Sequence, residues 1–381
     1  MAPIVMPVPA VQYPHLMHIA VVHTLEPTDQ QANSINMFKM AGGFAEVGHT
    51  VTIVCQAPPA GPLTEEELRE RYHLPADVRW IQLCGPCRGL SLKKLALFEW
   101  AAMRQVCRLQ PDLVYTRNFR IPHLASKRGM PSVVETHISP EEKRPSFHQL
   151  LADTTYPEIR TVVTISHRLA EGYQRRGVPA EKILVLPDAV DLSQFQRPVV
   201  LPASPYTTPG PHITYTGHLY DYKGVPTVIA AAKELPEATF HLVGGNARDI
   251  ARQQALAEQL GVQNVIFHGM QRYADVPPYV WHADVLLLPP SAKHESAAWT
   301  SPMKLGEYLA AGVPILATDI TALRDWLTDD DVEFVPPDNP SAMAAGIRRV
   351  LTTPRQTNNA HFLTFRQRCE AILQAAFPSK L

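Results

Sequence analysis

A chain of 381 residues, 45% of them hydrophobic, is long enough for two domains that each bury a core. Its formal charge of -1 and pI near 7.0 give no field for nucleic acid or for acidic membranes. No apolar run approaches the roughly eighteen residues of a bilayer span, and five cysteines without a disulfide framework suggest a reducing, cytoplasmic setting.

The opening MAPIVMPVPAVQYP lacks the basic and apolar regions of a secretory signal and reads as a proline-rich lead-in. LMHIAVVHT, residues 16–24, is the first buried strand. A helix is expected from about Asn33 to Val47, closed by Gly48, with a second strand over 51–55. Gly42 and Gly43 fall inside that helix, where each costs about 1 kcal/mol relative to alanine. They mark a kink, a tight helix crossing or a misplaced boundary.

LTEEELRERY reads as a short solvated helix, and 78–83 as a strand. Cys84-Gly85-Pro86-Cys87 has a dithiol spacing, but no second such pair exists for a structural zinc, and a plain turn is the better reading. Ser91 to Leu109 is an amphipathic helix whose Phe98 and Trp100 are expected to pack inside. The strand at 112–115 delivers Arg117 to a sheet edge where open α/β folds bind ligands, either as a sugar or acceptor contact or as half of an ion pair. The strand at 132–135 brings His137 to the same edge, where an imidazole hydrogen-bonds neutral or charged. Glu135 is left open between orienting His137 and meeting an acceptor.

A strand at 161–165, Ser166 as a helix cap, and a strand at 183–186 complete the first domain, taken as 1–197. The proline-rich stretch 198–211 is the linker. From 212 to 356 strands and helices alternate, which argues for a parallel sheet covered on both faces. A last helix within 357–381 is expected to return to the first domain. The acidic run 329–331 reads as a solvated turn, and no metal site is expected.

Two stretches of the second domain carry chemistry. Strand 213–216 leads into GHLYDYKGVP, residues 217–226, which places Lys223 just ahead of a helix. SPMKLGEYLAAGVPILATD, residues 301–319, reads as a cap at Ser301, Pro302 at the first helical position, Lys304 in the first turn, Glu307 one turn deeper, and a stop at Gly312. A lysine in a first turn is disfavoured by about 0.3 to 1 kcal/mol unless an anion binds there.

Together these resemble the donor half of the retaining glycosyltransferases of family 4. Gly217, His218, Leu219, Lys223 and Gly224 match one element of that family; Ser301, Pro302, Lys304, Glu307, Tyr308, Ala310, Gly312 and Pro314 match the other, SPxKxxEYxAxGxP. VVETH, 133–137, is similar to the place where the family sets a histidine beside the transferred sugar.

The resemblance implies an α/β fold of two Rossmann-like domains with mostly parallel sheets facing across a cleft (GT-B). It implies a metal-independent hexosyltransferase that takes a UDP- or GDP-linked sugar as co-substrate, with no further cofactor, and a saccharide or lipid-linked acceptor. Lys223, Lys304, Gly217, His218 and the backbone at Ser301, Pro302 and Met303 would hold the diphosphate, Glu307 the ribose, and His137 the sugar. Two departures stand out: His218 replaces a common arginine, and Trp299 stands where a glutamate usually meets the sugar, which makes Glu295 the candidate substitute. Peripheral attachment to the inner membrane face stays open. So do two alternatives, a nucleotide-sugar epimerase and a non-catalytic binding or scaffold protein.

Overall fold

The computed structural model describes residues 16–29, 31–75, 77–85, 91–353 and 362–378. The proline-rich lead-in and Cys87 lie outside these residues. By contact density the described residues up to Ala189, together with those from Leu363, form one compact unit, and those from Val190 to Phe362 form a second.

The first unit is built on seven strands: β1 (His18–Val22), β2 (Thr50–Gln56), β3 (Val78–Leu83), β4 (Leu113–Thr116), β5 (Ser132–Thr136), β6 (Ile159–Thr164) and β7 (Ile183–Val185). They lie in the order β3-β2-β1-β4-β5-β6-β7, with every neighbouring pair parallel. The second unit has six: β8 (His212–Thr216), β9 (Thr239–Val243), β10 (Val265–Gly269), β11 (Val285–Leu288), β12 (Ile315–Thr318) and β13 (Glu333–Val335). Their order is β10-β9-β8-β11-β12-β13, again all parallel. The α/β class with two Rossmann-like sheets is therefore the one the sequence implied.

The continuous apolar runs have the reason expected of parallel strands, burial on both faces. Ile19 to Val22 are wholly enclosed, and in the second unit Ile213, Phe240, Leu242, Val285 and Leu287 meet Val228, Ile229 and Ile347 from the covering helices. Each sheet has one place where the strand order reverses, between β1 and β4 and between β8 and β11. Ligands of open α/β sheets bind beyond the strand ends at such points.

The helix Ala32–Glu46 runs unbroken through its glycine pair. A methyl group on Gly42 would sit 2.8 Å from Leu74 Cδ2, and one on Gly43 2.6 Å from the Phe365 carbonyl oxygen and 2.9 Å from Cys369 Sγ. Of the three readings of this pair, the tight crossing is the one found: the helix Phe365–Ala376 lies against Gly43.

Other expectations need correction. The helices Arg120–Ser126 and Pro145–Asp153, and the four-residue helices Leu192–Phe195 and Thr321–Arg324, have no counterpart among those expectations. Trp100 is 63% exposed, whereas Phe98 is buried. The two residues are about 200° apart around a helix, so they cannot share one inward face. Asp331 is buried rather than solvated, because its carboxylate accepts hydrogen bonds from the backbone and hydroxyl of Thr328 at 2.9 and 2.7 Å. Among the described residues no helix is long and apolar enough to cross a membrane.

Candidate active site

In the second unit the phosphate candidates converge where the sheet order reverses. Gly217, with φ +119°, lets the chain leave β8 as a bare turn against which Lys304 Nζ lies; a side chain there would reach within 3.0 Å of that nitrogen. Lys304 donates to the Thr216 carbonyl and stands 3.6 Å over the centre of the Tyr215 ring. Tyr308, one turn along the same helix, fixes this edge by accepting the Thr216 N–H at 2.9 Å.

Lys223 ends a 3-10 turn, Asp221–Lys223, and its ammonium group sits 5.2 Å over the Tyr222 ring. Gly224 follows with φ +79° and opens the helix Val225–Ala232; a methyl group there would fall 1.6 Å from the Pro289 carbonyl oxygen, so no other residue fits. Burial pushes the Lys304 ammonium well below the usual lysine range, the charge of Lys223 pushes it further, and Glu307 opposes both. Lys223 and Glu307 thus act electrostatically on Lys304, which packs against Gly217.

The helix carrying Lys304 starts later than expected. It spans Met303–Ala311, with Pro302 rather than Ser301 at the N-cap and Gly312 ending it at φ +66°. Lys304 is therefore its second residue. Ser301, Met303 and Glu307 are all buried. Glu307 accepts a hydrogen bond from Tyr273 Oη at 3.0 Å, a partner the sequence did not disclose because it lies 34 residues away on another turn.

His218 stacks on Tyr220 (5.0 Å, 9° between planes), Tyr220 on Tyr222 (5.4 Å), and Tyr222 on His294 (4.4 Å). An aromatic ladder thus occupies the place where the resemblance suggested an arginine. Glu295 lies exposed on the 3-10 turn Glu295–Ala298, which Trp299 closes.

In the first unit β5 delivers Glu135 and His137 side by side. Residues two apart on a strand face the same way, so the pair was in reach of the sequence. His137 Nε2 lies 2.8 Å from Glu135 Oε1 and 3.7 Å from Asp188 Oδ1. Asn36 donates to that Asp188 oxygen at 3.0 Å. Arg117 approaches Glu135 Oε1 at 3.9 Å, which makes it part of an ion-pair group. On the other carboxylate oxygen, Tyr115 donates its hydroxyl and Arg368 its Nη1, the latter at 2.6 Å.

Burial alone would raise the Glu135 carboxyl, but Arg368, the His137 hydrogen bond and Arg117 hold it well below the carboxylate range. Burial and then Arg117 lower the His137 imidazole below its usual 6.5, against Asp188 and Glu135. Burial raises Asp188. Glu135, His137 and Asp188 are close enough to hold a metal ion, yet the guanidinium of Arg368 already neutralises Glu135 from 2.6 Å, so the group does not suit a dication.

The chain matches two family models, "Glycosyltransferase Family 4" over residues 37–194 and "Glycosyl transferases group 1" over 210–353. It is 28% identical over 183 residues to a protein named as a colanic acid biosynthesis glycosyltransferase, WcaL of Escherichia coli (strain K12), covering 47% of this chain and 44% of that one. The chain spans about half the length of the first curated relatives it matches, 44% and 52%. Among solved structures, Anabaena Alr3699/HepE in complex with UDP and glucose superposes with a TM-score of 0.69 at 16% identity, over 94% of this chain and 99% of that one. A UDP-GlcNAc 2-epimerase from Neisseria meningitidis bound to UDP-GlcNAc superposes with a TM-score of 0.61 at 12% identity, over 95% and 100%. At such identities the likeness shows the fold.

Proposed function

The chain carries two glycosyltransferase domains, and from that premise we propose that it moves a hexose from a UDP- or GDP-linked sugar to a saccharide or lipid-linked acceptor, with retention at the anomeric carbon and without a metal ion. The observation that carries this reading is Lys304, buried against Gly217 and within reach of the Lys223 charge. The nearby Lys223 charge and burial both disfavour the charged form of Lys304, and a bound diphosphate reverses that cost. HepE, whose structure holds UDP and glucose, supports the choice of donor class.

In the proposed reaction the sugar becomes oxocarbenium-like while negative charge gathers on the departing phosphate oxygen. Lys223, Lys304 and the backbone at the start of the Met303–Ala311 helix neutralise that charge as it develops, the service a metal would otherwise supply. Glu307 accepts both ribose hydroxyls, and His137 meets a sugar hydroxyl. The His218 ladder leaves fewer fixed donors on the phosphates than an arginine would, so binding is expected to be weaker and dependent on pH.

A lipid-linked acceptor is reached by peripheral attachment to the membrane surface. The helix Leu92–Leu109 exposes Leu92, Leu97 and Trp100 beside Lys93, Lys94, Arg104 and Arg108, an apolar strip with a basic margin.

The test is calorimetric titration with UDP, GDP and ADP, followed by a screen of sugar nucleotides with and without saccharide acceptors. Free nucleotide released together with a glycosylated acceptor supports the proposal. An isomerised nucleotide sugar would establish the epimerase reading, which shares the fold, and no turnover of any donor would leave a binding protein.

A further inference from the structure

Arg368 is the largest wholly buried side chain of the first unit, and nothing in the phosphate chemistry uses it. It comes from the Phe365–Ala376 helix, 233 residues along the chain from Glu135. Nε donates to the Pro187 carbonyl at 2.8 Å, and Nη1 donates to Glu135 Oε2 at 2.6 Å with Met40 Sδ at 3.4 Å. Both ends of this contact have a side-chain exposure of 0%. A charge is tolerated so deep only when paired, and the pairing fixes the state of its partner.

Glu135 is therefore a carboxylate, an acceptor at both oxygens. The group facing Oε1 at 2.8 Å is His137 Nε2, so that nitrogen must carry the hydrogen. A neutral imidazole has only one N–H. With that hydrogen on Nε2, Nδ1 is bare; it has no partner among the described residues, and 18% of the side chain stays exposed.

We propose that Arg368 is a positioning residue for His137: it holds Glu135 as a carboxylate, Glu135 holds the imidazole in its Nε2–H form, and Nδ1 is left to accept a hydrogen bond from a ligand. Such a nitrogen selects a hydroxyl group and rejects a phosphate oxygen, which has no hydrogen to give. The assignment of that ligand as a sugar rests on the glycosyl-transfer reading; the tautomer does not.

The groups facing His137 agree with this arrangement from every side. Asp188 Oδ1, at 3.7 Å from the same Nε2, takes its own hydrogen bond from the Asn36 amide. Arg117, 3.9 Å from Glu135 Oε1, opposes a second proton on the ring. Tyr115 donates to Glu135 Oε2 beside Arg368 and so leaves Oε1 to the histidine.

The test uses the full chain labelled with ¹⁵N-histidine. Long-range ¹H–¹⁵N spectra near neutral pH should show His137 with a protonated Nε2 and a bare Nδ1. Glu135→Gln can turn its amide toward the ring and should move the population toward Nδ1–H. Arg368→Met alone strands a buried carboxylate, so the paired variant Arg368→Met with Glu135→Gln is the companion that keeps the interior neutral; it should show the same loss of the Nε2–H form. Arg368→Lys should retain most of it. Where a donor and acceptor are turned over, Glu135→Gln should lower kcat by about 10- to 100-fold. Its KM for the nucleotide sugar should change less than about threefold, since the diphosphate residues lie in the other unit. A wild-type His137 found as Nδ1–H, or a paired variant that keeps the wild-type tautomer, would overturn the proposal. Both readings stand whether or not any sugar is transferred, so a failed screen of donors is a separate result.

Discussion

Glu307 meets Tyr273 Oη at 3.0 Å, and that hydroxyl is pushed well above its usual pKa by burial and then by Glu307 itself, so it stays a donor. Glu307→Ala should cost the hydrogen bonds to a charged acceptor, about 1.5 to 3 kcal/mol, and raise the Kd for UDP by roughly 10- to 100-fold. Unchanged affinity in calorimetry would remove the ribose assignment. Tyr273→Phe leaves the carboxylate in place but less well aimed, and a smaller weakening, about threefold, is expected on the same titration. Gly224→Ala must fit a methyl group 1.6 Å from the Pro289 carbonyl oxygen at a φ of +79°, so the loop before Val225 has to move. A loss of about 3 kcal/mol or more, read as a fall in Tm and in nucleotide binding together, is the expected outcome. Lys304 and Glu307 were legible in the sequence because three residues of spacing on one helix fix their relation. Tyr273, Asp188 and Arg368 were not, because each reaches its partner across a long stretch of chain and no local pattern records that distance.

Among the elements, the Ala32–Glu46 helix shows what a glycine pair is for. Its propensity cost was readable, whereas the neighbour that explains it, the Phe365–Ala376 helix, lay more than three hundred residues away. Gly43→Ala should force the Phe365 carbonyl and Cys369 apart and destabilise the first unit by about 1 to 3 kcal/mol, checked by urea unfolding. The helix Leu92–Leu109 is the opposite case, since the expectation that Phe98 and Trp100 both pack inside holds only for Phe98. Lys93, Leu97, Trp100, Arg104 and Arg108 follow one another at three- and four-residue steps, which puts them on a single exposed strip. Trp100→Glu should abolish flotation with vesicles rich in anionic phospholipid and leave thermal stability within about 0.5 kcal/mol. Flotation that is absent, or equal before and after the change, would overturn the proposed membrane attachment through this strip.

Across the molecule, the alternation of apolar strands and helices was enough to anticipate both parallel sheets, while helix limits and several short helices escaped because their amphipathic signals are brief. Stability of the whole carries a pH signature. Burial and then Arg117 lower His23 to about 3, and burial with His268 and His212 lowers His241 to about 3. A histidine depressed below its unfolded value of 6.5 binds fewer protons folded than unfolded, so stability is full above that value and declines as pH falls toward 3. At pH 5 each should cost up to about 2 kcal/mol, and thermal scans from pH 7.5 down to 5 should show Tm dropping steadily. His23→Gln paired with His241→Gln should flatten that slope.

The order of the chain also bears on how the protein is made. The surface around Gly43 that the Phe365–Ala376 helix covers belongs to residues that leave the ribosome long before that helix does. During translation the early α/β unit must wait, with Met40 and Glu135 lacking Arg368, until synthesis has passed residue 376. A nascent chain arrested at 360 should therefore stay open to proteases, whereas one extended well beyond 376 should resist them.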